Sequence, residues 1–216
     1  MPGTAALDLG GFAELNSVSC ASAGNCAAGG DYADGFTGQP FVVDETNGTW
    51  SKPIRIPRVP NPSVASVSCT SAGNCAAGGS YGYYLPSARV YQPFVVAEEK
   101  GKWGTPVTVR DLPGLNDAHP GLVTSVSCAG EGNCAAVGWY PTDYDAGDPF
   151  RFRSFVVTDR SGVWGRPRHL PGLGPSVQAY SVSCARAGNC TIGGNSSADI
   201  FPSWSTIQGQ AFVTAP

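Results

Sequence analysis

Ser17-Val18-Ser19-Cys20-Ala21-Ser22-Ala23-Gly24-Asn25-Cys26-Ala27-Ala28-Gly29-Gly30 is the stretch that decides the fold, because it returns three more times along the chain. The further copies run from Ser66 to Gly79, from Ser125 to Gly138 and from Ser181 to Gly194. Their first cysteines follow one another at intervals of 49, 59 and 56 residues, which suits a repeat unit of four short strands. Four similar units in one chain are therefore predicted.

All eight cysteines of the chain lie in this motif, in pairs spaced C-x5-C around a Gly-Asn step that suits a tight turn with positive φ. The spacing predicts a hairpin bridged across its turn. Structural zinc sites favour C-x2-4-C pairs with recurring histidines, so disulfides are preferred to a metal. Local pairing and an even count predict an oxidising compartment and hence a secreted protein. The predicted bridges are Cys20 with Cys26, Cys69 with Cys75, Cys128 with Cys134, and Cys184 with Cys190.

Each repeat continues with a β-branched and aromatic run such as Pro40-Phe41-Val42-Val43, which predicts a buried third strand. A turn of the form Gly-x-Trp and a fourth strand follow in three repeats, whereas residues 4–11 resemble the fourth strand that the last repeat lacks. We therefore predict an all-β fold, a four-bladed β-propeller of four-stranded antiparallel blades, closed by the N-terminal strand completing the last blade. The single domain spans 1–216, with blade repeats at about 12–56, 57–112, 113–170, and 171–216 plus 4–11.

The unit SVSC...GNCAAGG followed by Gly-x-Trp resembles the disulfide-pinned repeats of secreted bacterial β-propeller proteins, of which the dispase autolysis-inducing protein is a distant example. The resemblance covers essentially the whole chain. It implies secretion and a partner outside the cell, but propellers carry many functions, so it implies no particular activity.

Composition narrows the classes of partner. Charged residues make up 13% of the chain, against about 25% in ordinary soluble domains. The net charge of −3, without a run of Lys or Arg, argues against nucleic acid and anionic membrane surfaces. No apolar stretch approaches the roughly 20 residues of a membrane-spanning helix. We expect a monomer whose partner is a glycan or an extracellular protein.

Residues shared by the repeats are packing and turn residues, so a binding site is expected in the loops where the repeats differ. The loops between second and third strands are rich in aromatic and acidic residues, which suit stacking on sugar rings or anchoring a protein. We predict a non-catalytic binding propeller that uses this loop face. The alternative for any one ring is packing between blades. The predicted ligand-binding residues are Tyr32, Asp34, Tyr83, Tyr84, Arg89, Trp139, Tyr140, Asp143, Tyr144 and Trp204.

A second hypothesis places a glycan-active hydrolase or lyase at the same face, because paired carboxylates serve glycoside hydrolysis. Its candidate catalytic residues are Asp34, Asp143, Asp145, Asp199 and His119. Asp143-x-Asp145 with Asp148 offers oxygen ligands for Ca2+ but lacks the spacing of a known calcium loop, so no metal or other cofactor is predicted. The serines of the SVSC motif are interpreted as small inner-strand residues along a narrow channel.

Overall fold

The computed structural model of the protein describes residues 11–35, 37–56, 62–85, 88–112, 120–142, 151–170, 174, 176–197 and 209–216. Every regular element in these ranges is a β-strand. The inner strands of the four sheets are β1 (Ala13–Ser22), β6 (Pro62–Ser71), β11 (Leu122–Gly130) and β16 (Ser176–Arg186). The second strands are β2 (Asn25–Asp34), β7 (Asn74–Leu85), β12 (Asn133–Pro141) and β17 (Asn189–Ser197). The third strands are β3 (Thr37–Thr46), β8 (Ala88–Glu99), β13 (Phe152–Arg160) and β18 (Gly209–Thr214).

The outer strand of each of the first three blades consists of two short pieces that both pair with the third strand. A proline between the pieces, Pro53 in the first blade, has no N–H to donate and interrupts the ladder. The sheets are thus four-stranded, as predicted, although each outer strand is split. The six pieces are β4 (Thr49–Trp50), β5 (Ile54–Arg55), β9 (Lys102–Trp103), β10 (Val107–Thr108), β14 (Val163–Trp164) and β15 (Arg168–His169).

Each cysteine motif forms an antiparallel hairpin in which the two cysteines lie directly opposite each other. All four predicted disulfides are present, and the glycine of each Gly-Asn step has a positive φ, for example 74° at Gly24. The asparagine side chain secures a second turn, since Oδ1 of Asn25 accepts a hydrogen bond from the backbone N–H of Asn47. The motif therefore fixes both turns at one end of a blade, which we call the turn face.

Neighbouring blades pack through their inner strands, β1 against β6, β6 against β11, and β11 against β16. The successive sheets are blades of a β-propeller. Glycine makes this approach possible: a Cβ added at Gly29 would lie 2.5 Å from Cγ1 of Val64 and 2.8 Å from Cγ2 of Val67. Three separate clusters of buried apolar residues fill the interfaces between consecutive blades.

The serines of the SVSC motif have a more specific role than small size. Hydroxyl Oγ atoms of Ser17 and Ser19 accept hydrogen bonds of 3.0 Å from the backbone N–H groups of Val67 and Cys69 in the next blade. The same pair of bonds joins the second blade to the third and the third to the fourth. The repeated serines thus hold the inner strands together.

The fourth blade has three strands in the described part of the chain, ordered β16-β17-β18. Residues 4–10, which carry most of the N-terminal strand predicted to complete this blade, lie outside the described residues. The described residues contain no helix long and apolar enough to cross a membrane.

Candidate functional site

The face opposite the turn face, which we call the loop face, is where second strands end and third strands begin. The described ladders between second and third strands differ in length there. Beyond the aligned pairs of glycine and phenylalanine, such as Gly79 with Phe94, the described ladder continues for six residue pairs in the second blade. It continues for four pairs in the first blade and three in each of the others. At about 3.4 Å per residue, the described ladder of the second blade, which we call the raised hairpin, is roughly 7–10 Å longer than the described ladders of the other blades.

Two of the predicted ligand-binding tyrosines are core residues. Tyr140 is fully buried and its hydroxyl shares a short hydrogen bond with Nε2 of His169 in the outer strand. Tyr32 is 7% exposed and packs in a cluster with Phe41. Tyr81 occupies the same position in the second blade, and its hydroxyl lies 2.8 Å from Oγ1 of Thr108. Side chains buried this deeply do not fit a role in contacting a ligand. Tyr32 and Tyr140 instead pack within the propeller, which was the alternative considered from the sequence.

The Tyr140 and His169 pair lies in an apolar setting that suppresses ionisation of both groups. Burial raises the pKa of Tyr140 to about 12, with a smaller lowering effect of Arg153. Burial also lowers the pKa of His169, and Arg153 lowers it further. Both groups are therefore neutral near pH 7, which suits a structural hydrogen bond rather than proton transfer.

The structure describes some of the other predicted site residues completely, some only in their backbone, and some not at all. Trp139 is partly exposed, meets Phe152 edge to face at 5.0 Å, and its buried indole N–H has no hydrogen-bond partner. Asp34 is exposed at the end of β2. Tyr83, Tyr84 and Arg89 lie in the raised second hairpin, where Tyr84 pairs with Arg89, but only their backbone is described. The predicted residues outside the described ranges are His119, Asp143, Tyr144, Asp145, Asp148, Asp199 and Trp204.

Paired carboxylates do occur, but near the turn face, in a crevice of about 220 Å3 between the first two blades. Asp44 and Glu98 both line it. Glu98 is 3% exposed, and neither of its carboxyl oxygens has a hydrogen-bond partner. Burial, and then the charge of Asp44, raise the pKa of Glu98 to about 7. Burial also raises the pKa of Asp44, opposed by a 3.1 Å hydrogen bond from the indole Nε1 of Trp103.

A carboxyl group of raised pKa beside a second carboxyl group is the type of pair that glycoside hydrolases use. The crevice around the pair is small for a binding site, since sites for ligands of drug size commonly measure about 300–1,000 Å3. Sequence reasoning missed Glu98 although a signal exists: the next-to-last residue of the third strand is acidic in three blades, at Glu45, Glu98 and Asp159. Because the position recurs in three blades, it belongs to the repeated scaffold.

A shallow groove of about 500 Å3 runs along the rim between the second and third blades. Trp103 and Trp164 line it, together with Val163, which is 68% exposed. Glu99 and Lys102 add opposite charges to the same groove. The rim groove is thus larger than the crevice beside Asp44 and Glu98, and it presents aromatic surface.

Within the described ranges, no three His, Cys, Asp or Glu side chains come together where they could hold a metal ion. The aspartates considered for Ca2+, Asp143, Asp145 and Asp148, lie outside those ranges. Asp44 and Glu98 supply only two carboxyl groups, which fall short of the 6–8 oxygens that Ca2+ prefers.

The chain matches no protein-family model and no curated protein sequence. Among solved structures it is similar to the alpha-L-arabinanase of Penicillium chrysogenum complexed with arabinobiose, at 14% sequence identity and a TM-score of 0.48. The similarity covers 92% of this chain and 58% of the arabinanase chain. Similarity at this level assigns neither a substrate nor an activity to the chain.

Proposed function

We propose that the chain is a secreted, non-catalytic binding propeller that holds a glycan or an extracellular protein against its loop face. The observation that carries this proposal is the longer described ladder of the second blade on that face. A scaffold built from equivalent blades does not itself require a ladder two or three residue pairs longer than the described ladders of the other blades. The raised hairpin brings Tyr83, Tyr84 and Arg89 to the loop face, and Tyr and Arg are residue types enriched where partners bind most strongly.

Secretion is supported by the four disulfides and the absence of a free cysteine among the described residues. Bridges of this kind persist in oxidising compartments. We therefore expect the partner in the same compartment, as a polysaccharide or another secreted protein.

The test compares the wild type with two variants on a glycan array and in pull-downs from culture supernatant. The first variant, Tyr83→Ser with Tyr84→Ser, alters the raised hairpin. The second, Val163→Ser, alters the rim groove and serves as a matched surface control. We expect the hairpin variant to lose at least tenfold in affinity for the captured partner and the control to keep it.

Loss of binding in Val163→Ser alone would move the site to the rim groove and overturn the loop-face assignment. Reducing ends are measured on every glycan that binds, because their release would favour the hydrolase hypothesis over binding. Asp34→Asn then reports whether the exposed loop aspartate is required for that release. Absence of binding to both partner classes would refute the proposal.

A further inference from the structure

The first blade has an interblade surface that the structure leaves partly uncovered. We call the side of a blade that packs on the preceding blade its front face, and the other side its rear face. On the front face of the first blade, Val18 is 64% exposed and Leu15 is 47% exposed. Their counterparts in the second blade, Val67 and Val64, are 5% and 0% exposed. Residues that are core elsewhere in the propeller are therefore surface here.

The rear face of the last blade is uncovered in the same way. Val213 is 76% exposed, whereas its counterpart in the first blade, Val42, is completely buried. Thr191 is also exposed, whereas Ala27 at the same position is completely buried. The structure thus ends on two open surfaces, each of which has the form of one half of an interblade contact.

The sizes of facing residues match across every interface. Gly29 faces Val64 and Gly78 faces Val123, so a small rear residue accepts a larger front residue. In the third interface the sizes are exchanged: the rear position holds Val137 and the front position Ala179, both buried. At the open surfaces the rear position is Gly193, and the front position is Leu15.

Gly193 has room for such a residue. A Cβ built on it would meet only Oγ of Ser181 at 3.1 Å and the backbone oxygen of Phe212 at 3.8 Å. The corresponding Cβ positions at Gly29 and Gly78 lie within 2.9 Å of valine side chains from the next blade. Gly193 opposite Leu15 would therefore repeat the combination of a small rear residue and a larger front residue that the first two interfaces show.

Hydrogen bonding is equally complementary. At each of the three interfaces, two serine hydroxyls of one blade accept hydrogen bonds from two backbone N–H groups of the next, at 2.9 to 3.2 Å. On the rear face of the last blade the equivalent serines, Ser181 and Ser183, are exposed. On the front face of the first blade the equivalent donors are the N–H groups of Val18 and Cys20.

We propose that the front face of the first blade binds the rear face of the last blade of a second copy of this chain. The contact places Leu15 over Gly193 and directs the N–H groups of Val18 and Cys20 to the hydroxyls of Ser181 and Ser183. A second copy is the occupant because the chain's own last blade leaves Val18 exposed. The interface joins two different surfaces, so copies associate head to tail. This proposal replaces the monomer expected from the sequence and does not depend on the proposed function.

The test measures mass by sedimentation velocity for the wild type and three variants. Val18→Asp blocks the front face, and Val213→Asp blocks the rear face, each at a position that is exposed within one chain, so folding of the single chain is expected to continue. Val163→Asp, at an exposed valine away from both faces, is the control. We expect the wild type and the control to sediment as dimers or larger species, and each blocked variant alone as a monomer.

Mixing the two blocked variants is the decisive step. One intact front face and one intact rear face remain in the mixture, so a one-to-one dimer and no larger species is expected. A mixture that stays monomeric overturns the proposal. A wild type that stays monomeric also overturns it, and hydrogen exchange at the Val18 and Cys20 amides then separates a ring closed within one chain, where both are protected, from faces that remain open.

Discussion

Replacing Gly78 by alanine tests whether this position, which follows the two alanines of the motif, must lack a side chain so that the next blade can pack against it. The new Cβ would lie 2.6 Å from Cγ1 of Val123 and 2.9 Å from Cγ2 of Val126, distances that real Cβ atoms do not tolerate. Overpacking of this kind costs about 1–3 kcal/mol. For a chain of this length each kcal/mol lowers Tm by about 2–4 °C, so we expect a loss of roughly 4–8 °C for a cost near 2 kcal/mol.

The third interface shows the compensating exchange of side-chain sizes, because there the larger Val137 of one blade faces the smaller Ala179 of the next. Val123→Ala alone removes buried methyl groups and is expected to destabilise by about 1–2 kcal/mol. The double variant Gly78→Ala with Val123→Ala should recover part of both losses, with a coupling energy of about 1 kcal/mol or more. Urea unfolding of the wild type, both single variants and the double variant gives that coupling.

Gly130→Ala is the matched control, because a Cβ added there meets nothing within 4 Å. Its stability should stay within about 0.5 kcal/mol of the wild type. If Gly78→Ala is equally harmless, or if the two changes add without coupling, the steric account of the glycine is refuted.

Three further predictions concern single side chains. Ser125→Ala removes the acceptor for the N–H of Val182 and should cost about 1 kcal/mol in urea unfolding. Glu98→Gln should stabilise the protein more at pH 8 than at pH 5: burial raises the pKa of Glu98 from 4.5 to about 7, so the wild type loses stability as pH rises through that range while the glutamine variant does not. Ser161→Asn and Lys100→Asn, at turn residues with φ of 54° and 52°, should each raise stability by about 0.5 kcal/mol, measured as Tm.

Each of these predictions has a contrary outcome. A Ser125→Ala variant as stable as the wild type would show that the serine contributes no interblade hydrogen bond. A stability difference between Glu98→Gln and the wild type that is the same at both pH values would show that the pKa of Glu98 is not raised in the folded protein. Asparagine at position 161 that lowers Tm would contradict the turn assignment.

The fold was predictable because its signals repeat. Four copies of one motif specify the hairpins, the disulfide pairs and the positive φ of the turn glycines, each of which the structure confirms. The split of the outer strand was also visible in principle, since a proline stands three residues after each of Trp50, Trp103 and Trp164. It was missed because a short interrupted strand has no hydrophobic periodicity to reveal the break.

The site was less predictable, and the tyrosines show why. Tyr32, Tyr81 and Tyr140 occupy the same position of three repeats, two residues after the last glycine of the motif. By the rule that shared residues belong to the scaffold, all three should have been assigned to the core. The aromatic character of Tyr32 and Tyr140 in a variable loop suggested a ligand contact instead. Sequence cannot show that Thr108 and His169 come from the outer strand to meet the hydroxyls of Tyr81 and Tyr140.

The buried acid near the end of the third strand, Glu98, was missed for a related reason. Glu98 becomes unusual only when Asp44 of the neighbouring blade is placed beside it, 54 positions earlier in the chain. Pairings between blades depend on the packing of one sheet on the next, and a single repeat contains no trace of them.

Every disulfide closes within a single hairpin, between cysteines six positions apart, and none of the four joins one blade to another. Gain or loss of a whole repeat during evolution would therefore leave every remaining cysteine with its own partner. Oxidative folding has the same independence, because each thiol meets its correct partner before any distant one. Blade number in proteins of this design can change by duplication without any rearrangement of the cystine pattern.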